Sequence, residues 1–267
     1  MLGDDFLARQ RLLVVSPHAD DETYGCAGTM ARVKALGGEV FVVLASVADL
    51  VHYGTEGERA AAGDAASGVP VGGYTGGGAP RGSGKKLVTQ RTRLDEFESV
   101  MKLLGVDDWD VLFTDAATHL ALDTVPRKQL VGLLESDGRL SVDAVRPTMV
   151  MIPALSYNQD HEALYRACVT ATRPGAEGEK YTVPFVLAYD NTSLFWSPEQ
   201  QRFHPSLYVD VSAYLDVKIE ALRLHASQVR APLYHGSPEG LELATRVRGR
   251  EVGVEAAEGF VQLRGVL

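Results

Sequence analysis

Arg11-Leu12-Leu13-Val14-Val15-Ser16 runs directly into Pro17-His18-Ala19-Asp20-Asp21-Glu22, and this junction decides the fold. The first six residues form a short apolar run, as expected of a strand buried on both faces of a parallel sheet. From Asp21 to Leu36, Met30, Val33 and Leu36 recur at helical spacing, and Gly37-Gly38 ends the helix. A second apolar run, Val40 to Ala45, follows. Strand, turn, helix and strand in that order make a unit whose two strands lie parallel through a right-handed crossover.

The alternation continues outward. Arg91–Leu104 predicts an amphipathic helix with Leu94, Phe97, Met101 and Leu104 on one face. Strands are expected at Val111–Phe113, Thr148–Pro153, Phe185–Tyr189, Leu207–Val211 and Phe260–Leu263. Helices are expected at Lys128–Leu134, Glu162–Ala171 and Val217–Ser227. This pattern predicts an α/β three-layer sandwich with a mostly parallel sheet, in one domain spanning residues 1–267. Gly68–Gly84 has eight glycines in seventeen residues and reads as a flexible loop, either a lid over the site or an insertion without a role. Thr192–Pro205 is a second irregular stretch.

The 267 residues are enough for a substantial core, and 45% hydrophobic with 23% charged residues is ordinary for a globular protein. A net charge of -9 argues against a nucleic-acid partner, which calls for a basic surface. Two cysteines, Cys26 and Cys168, exclude a cysteine-rich metal site and a disulfide framework. No apolar run approaches the ~20 residues of a membrane helix, and the acidic start Asp4-Asp5 does not read as a signal peptide. A cytoplasmic protein without a membrane partner is expected. Oligomeric state is left open.

His18, Asp20, Asp21 and Glu22 stand where the first strand ends and the first helix begins, the edge on which open α/β sheets bind ligands. Capping of the helix accounts for one acid. It does not account for a histidine and three acids together. His18 and Asp21, three residues apart across the turn, can converge on one metal ion through an imidazole nitrogen and a carboxylate oxygen. A third ligand is expected from another strand end. Thr148–Pro153 leads into Tyr157-Asn158-Gln159-Asp160-His161, and His161 is the candidate.

These residues carry a resemblance. Pro17-His18-Ala19-Asp20-Asp21-Glu22 is similar to the Pro/Ala-His-Pro-Asp-Asp-Glu signature of the PIG-L/LmbE family of zinc-dependent N-acetylglucosaminyl deacetylases. Asn158-Gln159-Asp160-His161 is similar to that family's second motif, and Thr170-Ala171-Thr172-Arg173-Pro174 resembles its sugar-cluster branch. Val209-Asp210-Val211, Lys218–Leu222, Ser227-Gln228 and Ala257–Phe260 also look familial, so the resemblance spans nearly the whole chain. It implies a Rossmann-like fold, one zinc per chain on His18, Asp21 and His161, and Asp20 as general base. The implied reaction hydrolyses the acetamide of an N-acetyl amino sugar or its conjugate, a small-molecule partner, to acetate and an amine.

Two positions depart from the pattern. Ala19 replaces the usual proline, which loosens the turn without touching the chemistry. Asn158 stands where many members have a histidine. Its amide can donate to an oxyanion but cannot deliver a proton near neutral pH, and Tyr157, His119 and His235 are the possible substitutes. Arg93, His119 and Tyr157 are candidate substrate contacts, although a solvated helix face accounts for Arg93 as well. Arg230 and Arg264 could meet an anionic substrate group. His52, His204 and His225 read as structural or solvent-facing. Gly25-Cys26-Ala27-Gly28 reads as close helix–sheet packing rather than a phosphate cradle. Competing readings are a metal-free nucleotide-binding protein, an amidase for a thiol- or antibiotic-type sugar conjugate, and a non-catalytic sugar-binding protein. The first requires a glycine-rich turn where this chain has acids that would repel a pyrophosphate.

Overall fold

The computed structural model describes residues 3–53, 85–176, 178–190, 203–232 and 236–267. The glycine-rich stretch 68–84, His235 and most of 192–205 lie outside them.

A short helix α1 (Asp4–Leu7) precedes β1 (Arg11–Ser16). The chain continues through α2 (Asp21–Ala35), β2 (Glu39–Ser46), β3 (Leu50–Tyr53), β4 (Lys85–Val88), α3 (Gln90–Leu104) and β5 (Asp108–Phe113). Next come α4 (Arg127–Gly132), α5 (Val142–Val145), β6 (Met149–Pro153), α6 (Gln159–Ala171), β7 (Phe185–Tyr189), β8 (Leu207–Asp210), α7 (Leu215–Leu224), α8 (Pro238–Val252) and β9 (Ala257–Gly265). Seven strands form one sheet in the order β5-β2-β1-β6-β7-β9-β8. The β5-β2, β2-β1, β1-β6 and β6-β7 pairs are parallel. β9 is antiparallel to both neighbours. This is the Rossmann-like, mostly parallel sandwich that the sequence implies.

The sheet is covered on both faces. One apolar layer packs Met30, Val33, Phe97, Met101, Ile219, Leu222 and Leu241 against Leu12, Val14, Val42 and Leu187. The other packs Leu130, Leu134, Val142, Leu164 and Ala171 against Leu13, Val15, Val150 and Ile152. β1, β6 and β7 are accordingly buried almost throughout, which is why they read as unbroken apolar runs.

The order of strands places the functional edge. From β1 the chain moves to β2 and β5 on one side, and from β6 to β7 on the other. β1 and β6 therefore flank the topological switch point, where adjacent crossovers diverge and leave a crevice at the carboxyl ends of the strands. His18 and Asp21 follow β1, and Asp160 and His161 follow β6.

Several elements differ from expectation. β5 begins at Asp108, three residues before the predicted strand. It is an edge strand, half-buried along its length, and Asp108 and Asp110 face Arg139 rather than a core. The helix predicted at Lys128–Leu134 is α4 from Arg127 to Gly132, followed by a π-type turn over Leu133–Asp137. α8 is not foreseen by the apolar pattern, because its buried stripe consists of Leu241, Thr245 and Gly249. Its caps carry the signal: Ser237 Oγ accepts from Gly240 N, Pro238 opens the helix, and Gly253 closes it at φ 78°. The antiparallel β3–β4 ladder is also unforeseen.

Candidate active site

β1 and β2 hold the turn that follows β1. Ser46 N donates to Pro17 O, and Tyr189 Oη, from the end of β7, donates to Val15 O at 2.9 Å. The chain turns sharply at Asp20, with φ 139° and ψ −27°, a region that a non-glycine residue occupies only under strain, at roughly 1–3 kcal/mol. Asp20 O accepts from Thr23 N and Tyr24 N, so α2 starts immediately. The Asp20 side chain makes no cap hydrogen bond. Capping therefore does not explain this carboxylate, which remains available at the half-buried rim of the site.

His18, Asp21 and His161 converge. One ligand-type atom from each lies within 4.8 Å of the others, and all three residues are buried. Asp21 Oδ2 stands 3.3 Å from His18 Nδ1 and 3.2 Å from His161 Nε2. His18 Nε2 meets Asp160 Oδ2 at 2.8 Å. An ionised carboxylate can only accept, so Nε2 carries a hydrogen, and Nδ1 is the ring nitrogen that faces Asp21. The other Asp160 oxygen accepts from Leu122 N at 2.8 Å, which fixes the carboxylate in turn. A histidine oriented by a buried carboxylate is the usual surround of a metal-binding imidazole. Two imidazole nitrogens and one carboxylate oxygen, from two strand ends, fit a divalent ion of the zinc type with coordination positions to spare.

The electrostatics match a cation site. Burial pushes the Asp21 carboxyl up, but His161 and His18 outweigh it and hold it well below the usual carboxylate range. Burial would lower the His18 pKa, yet the Asp160 and Asp21 carboxylates raise it to about 9. Asp20 is pushed up to about 7, first by burial and then by the adjacent Asp21 charge, with His225 opposing.

The remaining candidates divide. Arg93 is buried, against the expectation of a solvated face. Its Nη1 donates to Ala48 O at 3.2 Å and to His119 Nε2 at 2.7 Å. Helical spacing placed it beside polar neighbours, but the segments that carry Ala48 and His119 cover that side of α3. His119 is also buried. Because Arg93 can only donate, His119 Nε2 is the bare nitrogen and Nδ1–H faces Ser46 Oγ at 3.0 Å. Burial and then Arg93 push His119 down to about 4, so it is a neutral acceptor and not a proton donor. Asn158 Oδ1 accepts from Asp160 N at 2.9 Å as the cap of α6. Its Nδ2 amide can only donate. Tyr157 is exposed beside it. Arg264 donates to Thr172 O and Val183 O, before the amino end of β7 and away from the site. His204 is exposed, whereas His225 is wholly buried against Glu22. The His52 side chain lies outside the described residues.

Asp190 is a site-edge residue that the sequence reading missed. It follows β7 on the active edge, is pushed up to about 6 by burial, and has Arg248 Nη2 3.7 Å from its carboxylate. Its place immediately after an apolar strand was the available signal.

The fold and this edge define an α/β protein with a His-Asp-His cluster at the switch point of its sheet. A model of the PIG-L family, described as GlcNAc-PI de-N-acetylase, matches residues 13–172, a span that contains both halves of the cluster, and the chain belongs to that family. Among solved structures it is similar to a conserved protein of Thermus thermophilus (27% identity, TM-score 0.63, covering 97% of this chain and 96% of that one). It is also similar to the N,N'-diacetylchitobiose deacetylase of Pyrococcus horikoshii (20% identity, TM-score 0.60, 95% and 84% covered). A third similar structure is GalB, the 4-carboxy-2-hydroxymuconate hydratase of Pseudomonas putida (20% identity, TM-score 0.63, 96% and 97% covered). At such identities the last two show the shared fold, which evidently serves both an amide hydrolase and a hydratase.

Proposed function

We propose that the protein is a zinc-dependent N-deacetylase that hydrolyses the acetamide of an amino sugar or sugar conjugate to acetate and a free amine. The observation that carries this reading is the convergence of His18, Asp21 and His161 beside an uncapped Asp20 carboxylate. Membership of a family described by a de-N-acetylase supports the substrate class. His18 Nδ1, a carboxylate oxygen of Asp21 and His161 Nε2 would hold the ion. When bound, zinc polarises an amide carbonyl and acidifies a coordinated water.

The chain's own groups supply the proton traffic. Asp20 accepts the proton of the attacking water at its carboxylate. The same carboxyl group then returns that proton to the departing nitrogen, which amide cleavage requires because an amide anion is a very poor leaving group. Asn158 Nδ2 donates to the developing oxyanion. The Arg93 guanidinium, held by His119 and Ala48 O, faces the hydroxyls of the sugar, and Tyr157 covers the rim.

Asp20→Asn separates catalysis from metal binding. Asparagine keeps the size and still hydrogen-bonds. The variant should retain one zinc per chain by elemental analysis and lose ~10²–10⁴-fold in kcat for acetate release. Wild-type turnover in Asp20→Asn would remove the base role.

A further inference from the structure

Glu22, the third acid of the turn, is neither a member of the His-Asp-His cluster nor the base, yet it is fully buried. Its Oε2 accepts from Asp20 N at 3.1 Å and lies 3.2 Å from Ser16 Oγ. Its Oε1 faces Thr23 Oγ1 at 3.0 Å and His225 Nε2 at 2.8 Å. Asp20 is thus held at both ends of its backbone: the N–H by Glu22, and the C=O by Thr23 N and Tyr24 N at the start of α2. These two restraints bracket the residue whose φ is 139°.

His225 comes from the end of α7, 203 residues away in sequence from Glu22. Its own backbone is fixed. His225 N donates to Leu222 O, and His225 O accepts from Gln228 N at 2.7 Å. Since the Glu22 carboxylate accepts, His225 Nε2 carries the hydrogen. Nδ1 is buried with no hydrogen-bond partner among the described residues. The ring therefore directs one hydrogen bond, and that bond goes to Glu22. A buried imidazole left with one bare nitrogen is a costly way to fill space, and an apolar side chain would pack there without the orphan.

We propose that His225 is a positioning residue for the reaction: through Glu22 it locks the strained Asp20 backbone in the conformation that presents the Asp20 carboxylate to the site. This rests on the reading of Asp20 as the base. The α7 terminus thereby becomes part of the catalytic apparatus, although it touches neither the metal cluster nor the substrate.

The test uses the zinc-loaded full chain with His225→Gln, His225→Asn and His225→Leu. The Gln amide reaches the place of Nε2, and the Asn amide is too short. Asn and Leu should lower kcat by ~10²-fold, with zinc stoichiometry intact and KM within about twofold, and Gln should recover most of the loss. Crystal structures should show Asp20 leaving its positive-φ conformation in Asn and keeping it in Gln. That geometric readout is independent of turnover. Should Asp20→Asn prove fully active, the base reading fails while the backbone result still decides the clamp. Asp20 unmoved in His225→Asn, or equal kcat in Gln and Asn, overturns the proposal. Where Leu fails to fold, the Gln and Asn pair carries the comparison.

Discussion

At the scale of single residues, tautomers and donors organise the site. Asp160 fixes His18 so that Nδ1 faces the cluster, and Arg93 fixes His119 so that its Nε2 accepts. These partners give different surroundings to two histidines whose rings lie 5.6 Å apart: His18 belongs to the His-Asp-His cluster and His119 does not. His18→Ala and His161→Ala should each lose most of their bound zinc. Asp160→Asn, which keeps the ligands and changes only the partner of His18, should weaken zinc affinity by ~10–100-fold. Competition with a chelator of known affinity measures both effects. Stoichiometric, tight zinc in all three variants would exclude the cluster as the metal site. His18, Asp20, Asp21 and His161 were legible in sequence because each stands at a strand's carboxyl end, where packing has little use for charged groups. The burial of Arg93 was not, because helical periodicity reports a helix's own faces and not what a neighbouring loop lays over them. The roles of Glu22 and His225 were hidden for a related reason: the hydrogen bond joining them spans most of the chain.

At the scale of elements, α2 must lie close to the sheet for the turn at Asp20 to reach the crevice. Gly25 and Gly28 permit this. A Cβ at Gly25 would stand 2.2 Å from the Tyr189 ring, and one at Gly28 would stand 2.8 Å from Val211. Tyr189 cannot easily withdraw, being fully buried with its hydroxyl bonded to Val15 O. The packing reading of Gly25-Cys26-Ala27-Gly28 agrees with this geometry. On either side of this segment, Lys218 Nζ donates to Tyr24 O at 2.7 Å and pairs with Glu258, which accepts from Gly28 N and Thr29 N. This buried pair ties α7 and β9 to α2. Gly25→Ala should therefore destabilise the fold by about 1–3 kcal/mol, read as a lowered denaturation midpoint in urea. An unchanged midpoint would mean that α2 is free to move outward. The apolar strands and α2 were legible from periodicity alone. α8 was not, since a stripe of Leu241, Thr245 and Gly249 buries too little apolar surface to mark a face. The edge strand β5 escaped in part because its acids face solvent and Arg139.

At the scale of the whole molecule, the sheet order brings the carboxyl ends of β1 and β6 side by side, so two segments 142 residues apart make one site, as His18 and Asp160 do. Alternating strands and helices were enough to foresee that edge. They could not foresee the return of β9 antiparallel between β7 and β8, because strand direction leaves no mark on a short apolar run. The fold alone does not choose a reaction, as its likeness to both a deacetylase and a hydratase shows. The chemistry therefore has to be tested on the products. The most direct measurement incubates the zinc-loaded protein, the chelated protein and the zinc-restored protein with a panel of N-acetyl amino sugars and their conjugates, and follows acetate and amine by mass spectrometry. A zinc-dependent deacetylase should give equimolar acetate and free amine from at least one panel member, abolished by chelation and recovered with zinc. Release of acetate that is indifferent to chelation and to zinc would contradict that function, as would a product carrying added water with the acetamide intact.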